Sequence, residues 1–113
     1  MKAERREQER FETDIRIVLS TVNFITNVKT DAYITDCSRM GARVVSPVYF
    51  NPNTAIQIQV DVIGGSIQLK GQVLSCKEDV QQKERFEKTY MVHVQFSKIT
   101  DWQWDRLLGL GKK

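Results

Sequence analysis

The chain carries one histidine, two cysteines and two prolines in 113 residues, and these shortages narrow the chemistry open to it. Cys37 and Cys76 stand far apart with no zinc-ligand spacing, and His93 cannot complete a metal set with them. The thiols are expected to be reduced and structural, with Cys37 partly accessible because it falls inside a polar turn. A catalytic nucleophile is not supported either. Ser38 or Cys37 would need His93 and an orienting acid beside it, and nothing local supplies them. Glu7 and Glu9 sit among arginines, which favours ionised carboxylates over a raised general acid. No apolar run is long enough for a membrane helix, and no signal-peptide pattern is present, so a cytoplasmic location is expected. There is no internal repeat and no low-complexity tract.

What is present suits one soluble domain with a single core. Hydrophobic residues make up 41% and charged residues 27%, the balance of an ordinary globular protein. The net charge of +3 is mild, and much of it lies at the termini, in Lys2, Arg5, Arg6, Arg10, Lys112 and Lys113. That balance fits a small anionic ligand better than a broad nucleic-acid surface.

The hydrophobic pattern has period two. Ile15, Ile17 and Leu19 alternate in a first strand, with Val22, Phe24 and Ile25 continuing the apolar stretch, and Asn27 to Asp31 reads as a turn. A second strand is expected over Ala32 to Thr35, delivering Asp36 at its end, and a third over Gly41 to Val45. Ser46-Pro47 and Asn51-Pro52-Asn53 punctuate the next segment. Ile56, Ile58, Val60 and Val62 give the clearest strand, Gly64-Gly65 a hairpin signal, and the return strand runs through Ile67 and Leu69 to Leu74. Residues 78 to 88 are nearly all charged or amide and read as an exposed loop. Tyr90, Val92, Val94 and Phe96 line one face of a last strand. Such strands with no helices between them predict an all-β fold, a small antiparallel barrel or sandwich. A short helix closes the chain. Thr100 and Gln103 form a capping box, Ile99 and Trp104 a staple, and Gly109 the expected stop. Trp104, Leu107 and Leu108 share the face that would plug a barrel end or meet a partner.

Two polar stretches stand out. Asp36-Cys37-Ser38-Arg39-Met40-Gly41 sets an acid, a hydroxyl and a glycine between two strands. Asp36 and Ser38 can tie the turn by side-chain to backbone bonds, with Gly41 supplying positive φ or room for close backbone approach. Equally, the carboxylate can accept parallel hydrogen bonds from a guanine edge. Near the N-terminus, Glu4 to Phe11 holds Arg5, Arg6 and Arg10 with glutamates between them. This is either a solvated, ion-paired segment or a set of planar donors for phosphate and the O6/N7 edge of guanine. Arg6 and Arg10 share a face if helical and lie about 13 Å apart if extended.

In order and spacing, Arg6-x-x-x-Arg10 followed by Asp36-x-Ser38-x-x-Gly41 resembles the RxxxR and (D/N)xSxxG pair of PilZ domains, small β-barrels that bind the bacterial second messenger cyclic di-GMP. The resemblance runs from Glu4 to about Leu110. It implies a PilZ-like antiparallel barrel over residues 13–113 with a short C-terminal helix, preceded by a flexible arginine-rich segment over residues 1–12 that orders with ligand. Arg6 and Arg10 would grip the guanine Hoogsteen edge and the phosphates, and Asp36 would pair with guanine N–H groups. Ser38 would bond to phosphate or fix the turn, and Gly41 would let the loop close over the ligand. Arg5 occupies the position associated in the family with two intercalated ligand copies. The family usually has glycine where His93 stands. The implied ligand is cyclic di-GMP, with no cofactor and no metal, and the implied partner is a downstream protein that reads the ordered surface. A PilZ-like adaptor that binds protein without nucleotide is the alternative, and a small barrel binding single-stranded nucleic acid is a third. The third would need aromatics on an open strand face, whereas Tyr90 and Phe96 fall on the core face. Trp102 could stack on a base or lie on the helix surface.

Overall fold

A computed structural model describes residues 10–22, 28–79 and 88–111. Six strands and one helix follow in order: β1 (Arg10–Thr21), β2 (Lys29–Ser38), β3 (Gly41–Ser46), β4 (Ala55–Val62), β5 (Gly65–Glu78), β6 (Tyr90–Phe96) and α1 (Asp101–Gly111). The strands close into a barrel in the order β1-β2-β3-β6-β5-β4, and each neighbouring pair is antiparallel. Closure leaves no long open sheet edge.

Alternation explains the core. Ile15, Ile17 and Leu19 of β1, Ile56, Ile58 and Val60 of β4, and Ile67, Leu69 and Val73 of β5 point inward and are buried. Each such side chain contributes about 1.5–3 kcal/mol by leaving water. On β6, Val92, Val94 and Phe96 are buried as expected, while Tyr90 is half-buried against the same core.

Several boundaries differ from the sequence reading. β2 runs from Lys29, inside the stretch expected as a turn, through Ser38, so Asp36 lies within a strand rather than at its end. β5 runs past Leu74 to Glu78, because Cys76 and the outward residues beside it continue the ladder with β6. The β4–β5 turn is Ile63-Gly64, since Gly65 already pairs with Val62. Gly64 takes φ +88 there, which glycine adopts without the Cβ clash other residues suffer. β1 ends at Thr21, and Phe24 and Ile25 lie outside the described residues, as do residues 80–87 of the expected charged loop.

The helix begins as its sequence dictates. The Thr100 amide donates to Gln103 Oε1 at 3.0 Å, and the Gln103 amide donates to Thr100 Oγ1 at 3.1 Å. Ile99 and Trp104 are both buried, completing the staple. Trp104 and Leu107 are buried and Leu108 packs partly against the core. Gly109 does not stop the helix, which continues to Gly111. Leu110 packs on the core, and that contact outweighs the roughly 1 kcal/mol that a helical glycine costs relative to alanine.

The alternation breaks at defined places. Ala32 and Ile34 point inward, so strict alternation would send Asp36 into the apolar interior. Instead the β2–β3 register slips between Ile34 and Asp36, leaving Thr35 as the extra residue on β2. The β1–β2 register slips at the same height, between Glu12 and Ile15. A bulge shifts the phase of the side chains beyond it. Asp36 is thereby turned to the outer face and Cys37 to the core, where it is fully buried. The expected accessibility of Cys37 is thus corrected. A third slip lies between Val73 and Ser75 of β5. It leaves Leu74 and Ser75 outward and returns Cys76 to the interior.

Candidate functional site

The end of β2 and the start of β1 meet at one end of the barrel. Arg10 stands opposite Ser38, Phe11 opposite Cys37 and Glu12 opposite Asp36. Arg10 and Phe11, the end of the first polar stretch, therefore lie on the strand adjacent to Asp36–Ser38 of the second. β1 begins at Arg10, so residues 10–12 are already part of the barrel wall. Arg5 and Arg6 lie outside the described residues.

Within the turn, Ser38 has a defined task. Its Oγ accepts the amides of Met40 at 3.2 Å and Gly41 at 3.3 Å, and its hydroxyl lies 3.4 Å from the Gly41 carbonyl oxygen that it donates to. The side chain is buried. Of the two roles the sequence left open, these contacts are those of a turn brace. Gly41 is needed for space rather than for φ. A Cβ there would overlap the Val94 carbonyl oxygen of β6, so glycine is what lets β3 leave the turn pressed against β6. The Phe96 amide donates to the Met40 carbonyl at 2.8 Å and clamps the turn from the same side.

Asp36 is 15% exposed and faces Arg43 of β3, with Oδ2 3.8 Å from Nη1. That separation exceeds a hydrogen bond. The Arg43 side chain remains half exposed, so its N–H groups stay available at the surface. Arg39 forms an ion pair with Asp101, the first residue of α1. Below it, the ring of Phe11 packs on that of Trp104, centroids 5.7 Å apart and planes at 52°. The turn and the strand start are thus both tied to the helix. Trp102 lies on the helix surface, with the Arg106 guanidinium 5.1 Å from its ring centroid.

Several concavities lie near this region. One of about 250 Å3 runs along the outer face of β3, β6 and β5, between Met40, Arg43, Leu74 and His93, over Gly41 and Val94. A larger cleft of about 550 Å3 lies at the β1–β4 seam, among Asp14, Arg16, Asp31, Asp61 and Leu110. Its one arginine is engaged by Asp31 at 3.2 Å. Three carboxylates make that cleft unfavourable for an anion, whereas the smaller groove has a cationic wall. Among the described residues no group of His, Cys, Asp and Glu could hold a metal ion. Burial pushes the Cys76 thiol above its ordinary value of 9.0, partly offset by the bond it accepts from the Phe50 amide. It belongs to the core. No helix among the described residues is long and apolar enough to cross a membrane.

Arg43 and Leu74 were not singled out by the sequence. The signal that could have found Leu74 is the broken alternation at Val73 to Cys76, where two successive residues must face outward.

A closed six-stranded antiparallel barrel, with a braced polar turn beside the start of its first strand, defines the class to which this protein belongs. The PilZ domain family model matches residues 4–110, and the chain is a member of the PilZ domain family. Among solved structures it is similar to the PilZ domain with c-di-GMP of YcgR from Escherichia coli, with a TM-score of 0.64 at 14% identity, over 90% of this chain and 86% of that one. At that identity the likeness is one of fold. A search of curated proteins by sequence finds no match.

Proposed function

We propose that this protein is a receptor for cyclic di-GMP that passes the signal to a protein partner. Arg5, Arg6 and Arg10 supply guanidinium donors to the guanine edges and phosphates, and Asp36 accepts guanine N–H groups. Ser38 holds the turn in the shape the ligand meets, and Gly41 keeps the approach over the main chain clear. The observation that carries this reading is the register in which Arg10 stands opposite Ser38 and Glu12 opposite Asp36, which supports reading the two motifs as one site. Family membership supports it, as does the likeness to a PilZ domain solved with this nucleotide. Ordering of the arginine segment on the ligand would present a new surface next to the helix that Arg39 and Phe11 anchor.

Calorimetric titration of the full chain with cyclic di-GMP tests this. Binding in the micromolar range or tighter is expected, with a loss of about 2–3 kcal/mol in Asp36→Ala or Arg10→Ala, the cost of removing one partner of a charge-assisted hydrogen bond. Binding weaker than about millimolar, or unaffected by either substitution, sinks the proposal. The stoichiometry from the same titration, compared with Arg5→Ala, reports whether one or two ligand copies are held.

A further inference from the structure

The outer face of α1 carries residues that the barrel does not use. Trp104 and Leu107 define the buried side of the helix. With about 3.6 residues per turn, Trp102 and Gly109 fall on the opposite side, about two turns and 10 Å apart. Asp105 and Arg106 sit midway, one on either side of the line between them. All four residues are exposed. Trp102 is 52% exposed, and the Arg106 guanidinium, 5.1 Å from its ring centroid, steadies it on the helix surface. Tryptophan and arginine are among the residues that most often anchor protein interfaces.

Gly109 is the second unusual feature of this face. Glycine inside a helix is destabilising relative to alanine. Gly41 and Gly71 have a reason to be glycine, because a Cβ at either would strike β6 backbone, yet a Cβ at Gly109 meets nothing within 4 Å. Gly109 does not take a positive φ either. The chain itself gains nothing from the missing side chain, which leaves a notch in the exposed face.

The four positions are self-complementary. Let a second α1 lie antiparallel across the first, on a two-fold axis that passes between residues 105 and 106. Trp102 of each copy then meets Gly109 of the other, and Asp105 of each meets Arg106 of the other. The indole fills the notch, and two carboxylate–guanidinium pairs flank the axis. A two-fold contact requires this reciprocity, and here shape and charge satisfy it independently.

We propose that the exposed face of α1 is a dimerisation surface, occupied by the same face of a second copy of this chain. The inference goes beyond the nucleotide reading and does not rest on it. Two helices of 11 residues bury an area at the low end of interface sizes, below about 1,200 Å2, so the dimer is weak and concentration-dependent. Trp104 and Leu107, on the other side of the helix, stay in the core. The helix that joins the copies is also the one that Arg39 holds through Asp101.

Sedimentation equilibrium of the full chain without nucleotide tests this. A monomer–dimer equilibrium with a dissociation constant of about 0.01–1 mM is expected, weakened about tenfold in Trp102→Ala. Gly109→Gln separates the interface from the fold. It should raise the melting temperature, because the new side chain has open space in the monomer and favours helix, while weakening dimerisation about tenfold by filling the notch. Asp105→Arg and Arg106→Asp each set like charges against one another across the axis and should abolish self-association. Mixing the two variants restores opposite charges at both contacts and should restore the dimer. A monomer at every concentration up to about 1 mM overturns the proposal. So does a dimer that either Trp102→Ala or Gly109→Gln leaves unchanged, a single charge variant that still self-associates, or a mixture that stays monomeric.

Discussion

The two halves of the barrel wall obey different rules. Along β4 and the first half of β5, eight register pairs run from Ala55↔Gln72 to Val62↔Gly65 without a slip. Buried and exposed residues alternate there as in an idealised sheet. Around the turn from β2 to β3 and across to the second half of β5, the ladder slips three times. The regular wall buries apolar surface and does little else. The irregular wall gives up ladder bonds and, in return, points polar and apolar groups outward at one end. Regularity here marks stability, and irregularity marks the candidate site.

The sharpest way to break the comparison is at the glycines. Gly41→Val should cost at least about 3 kcal/mol or prevent folding, because the added carbons overlap β6 backbone that cannot yield. Gly64→Ala, at a hairpin tip with open space around it, should cost only about 1–2 kcal/mol, from its φ of +88 alone. Urea denaturation distinguishes them, and equal costs would remove the distinction between a turn that is packed and one that is not.

Ser38→Ala comes next. It deletes the oxygen that accepts the buried Gly41 amide and the partly buried Met40 amide, and a loss of about 1–3 kcal/mol is expected in thermal denaturation. A change within experimental error would mean that the brace is dispensable. Deleting Leu74 has a smaller expected effect on stability, within about 1 kcal/mol. The remaining order, Val73 inward, Ser75 outward, Cys76 inward, is that of an unbroken strand. The deletion should leave the melting temperature nearly unchanged. A collapse of stability would show that the bulge serves packing.

The smallest effect concerns Cys76. Burial holds its thiol protonated above the ordinary value of 9.0. The folded state therefore binds a proton that the unfolded chain releases, so stability is full below about pH 9 and declines as pH rises through the folded value. Cys76→Ser should flatten that alkaline decline. An unchanged slope would assign it to other groups.

The regular wall was almost wholly legible in the sequence. Ile56 to Val62 and Ile67 to Leu69 alternate without interruption, and the helix cap could be read from Thr100 and Gln103. The site was legible only as two separate motifs. Nothing in the sequence states that Arg10 and Ser38 are neighbours, since a strand's partner is set by barrel closure. The turn residues were read with two possible roles, and only the folded turn shows Ser38 accepting the Met40 and Gly41 amides. Gly41 is required by the carbonyl of Val94, more than 50 positions away in sequence. Gly109 misled for a related reason: local propensity argued for a helix end, and the distant core facing Leu110 overrode it.

By itself, then, the order of residues determined which segments are strands, which face of each is apolar, where the helix begins, and that two polar motifs occur at a defined spacing. These follow from short-range preferences and period-two patterning, which act within a few residues of the chain. Only the folded barrel decided that Arg10 stands beside Ser38, that Asp36 looks outward while Cys37 looks in, and that Arg43, His93 and Leu74 belong to the same surface. Those outcomes depend on strand register, and register is fixed by the simultaneous fit of six strands around one core, which no local stretch can specify.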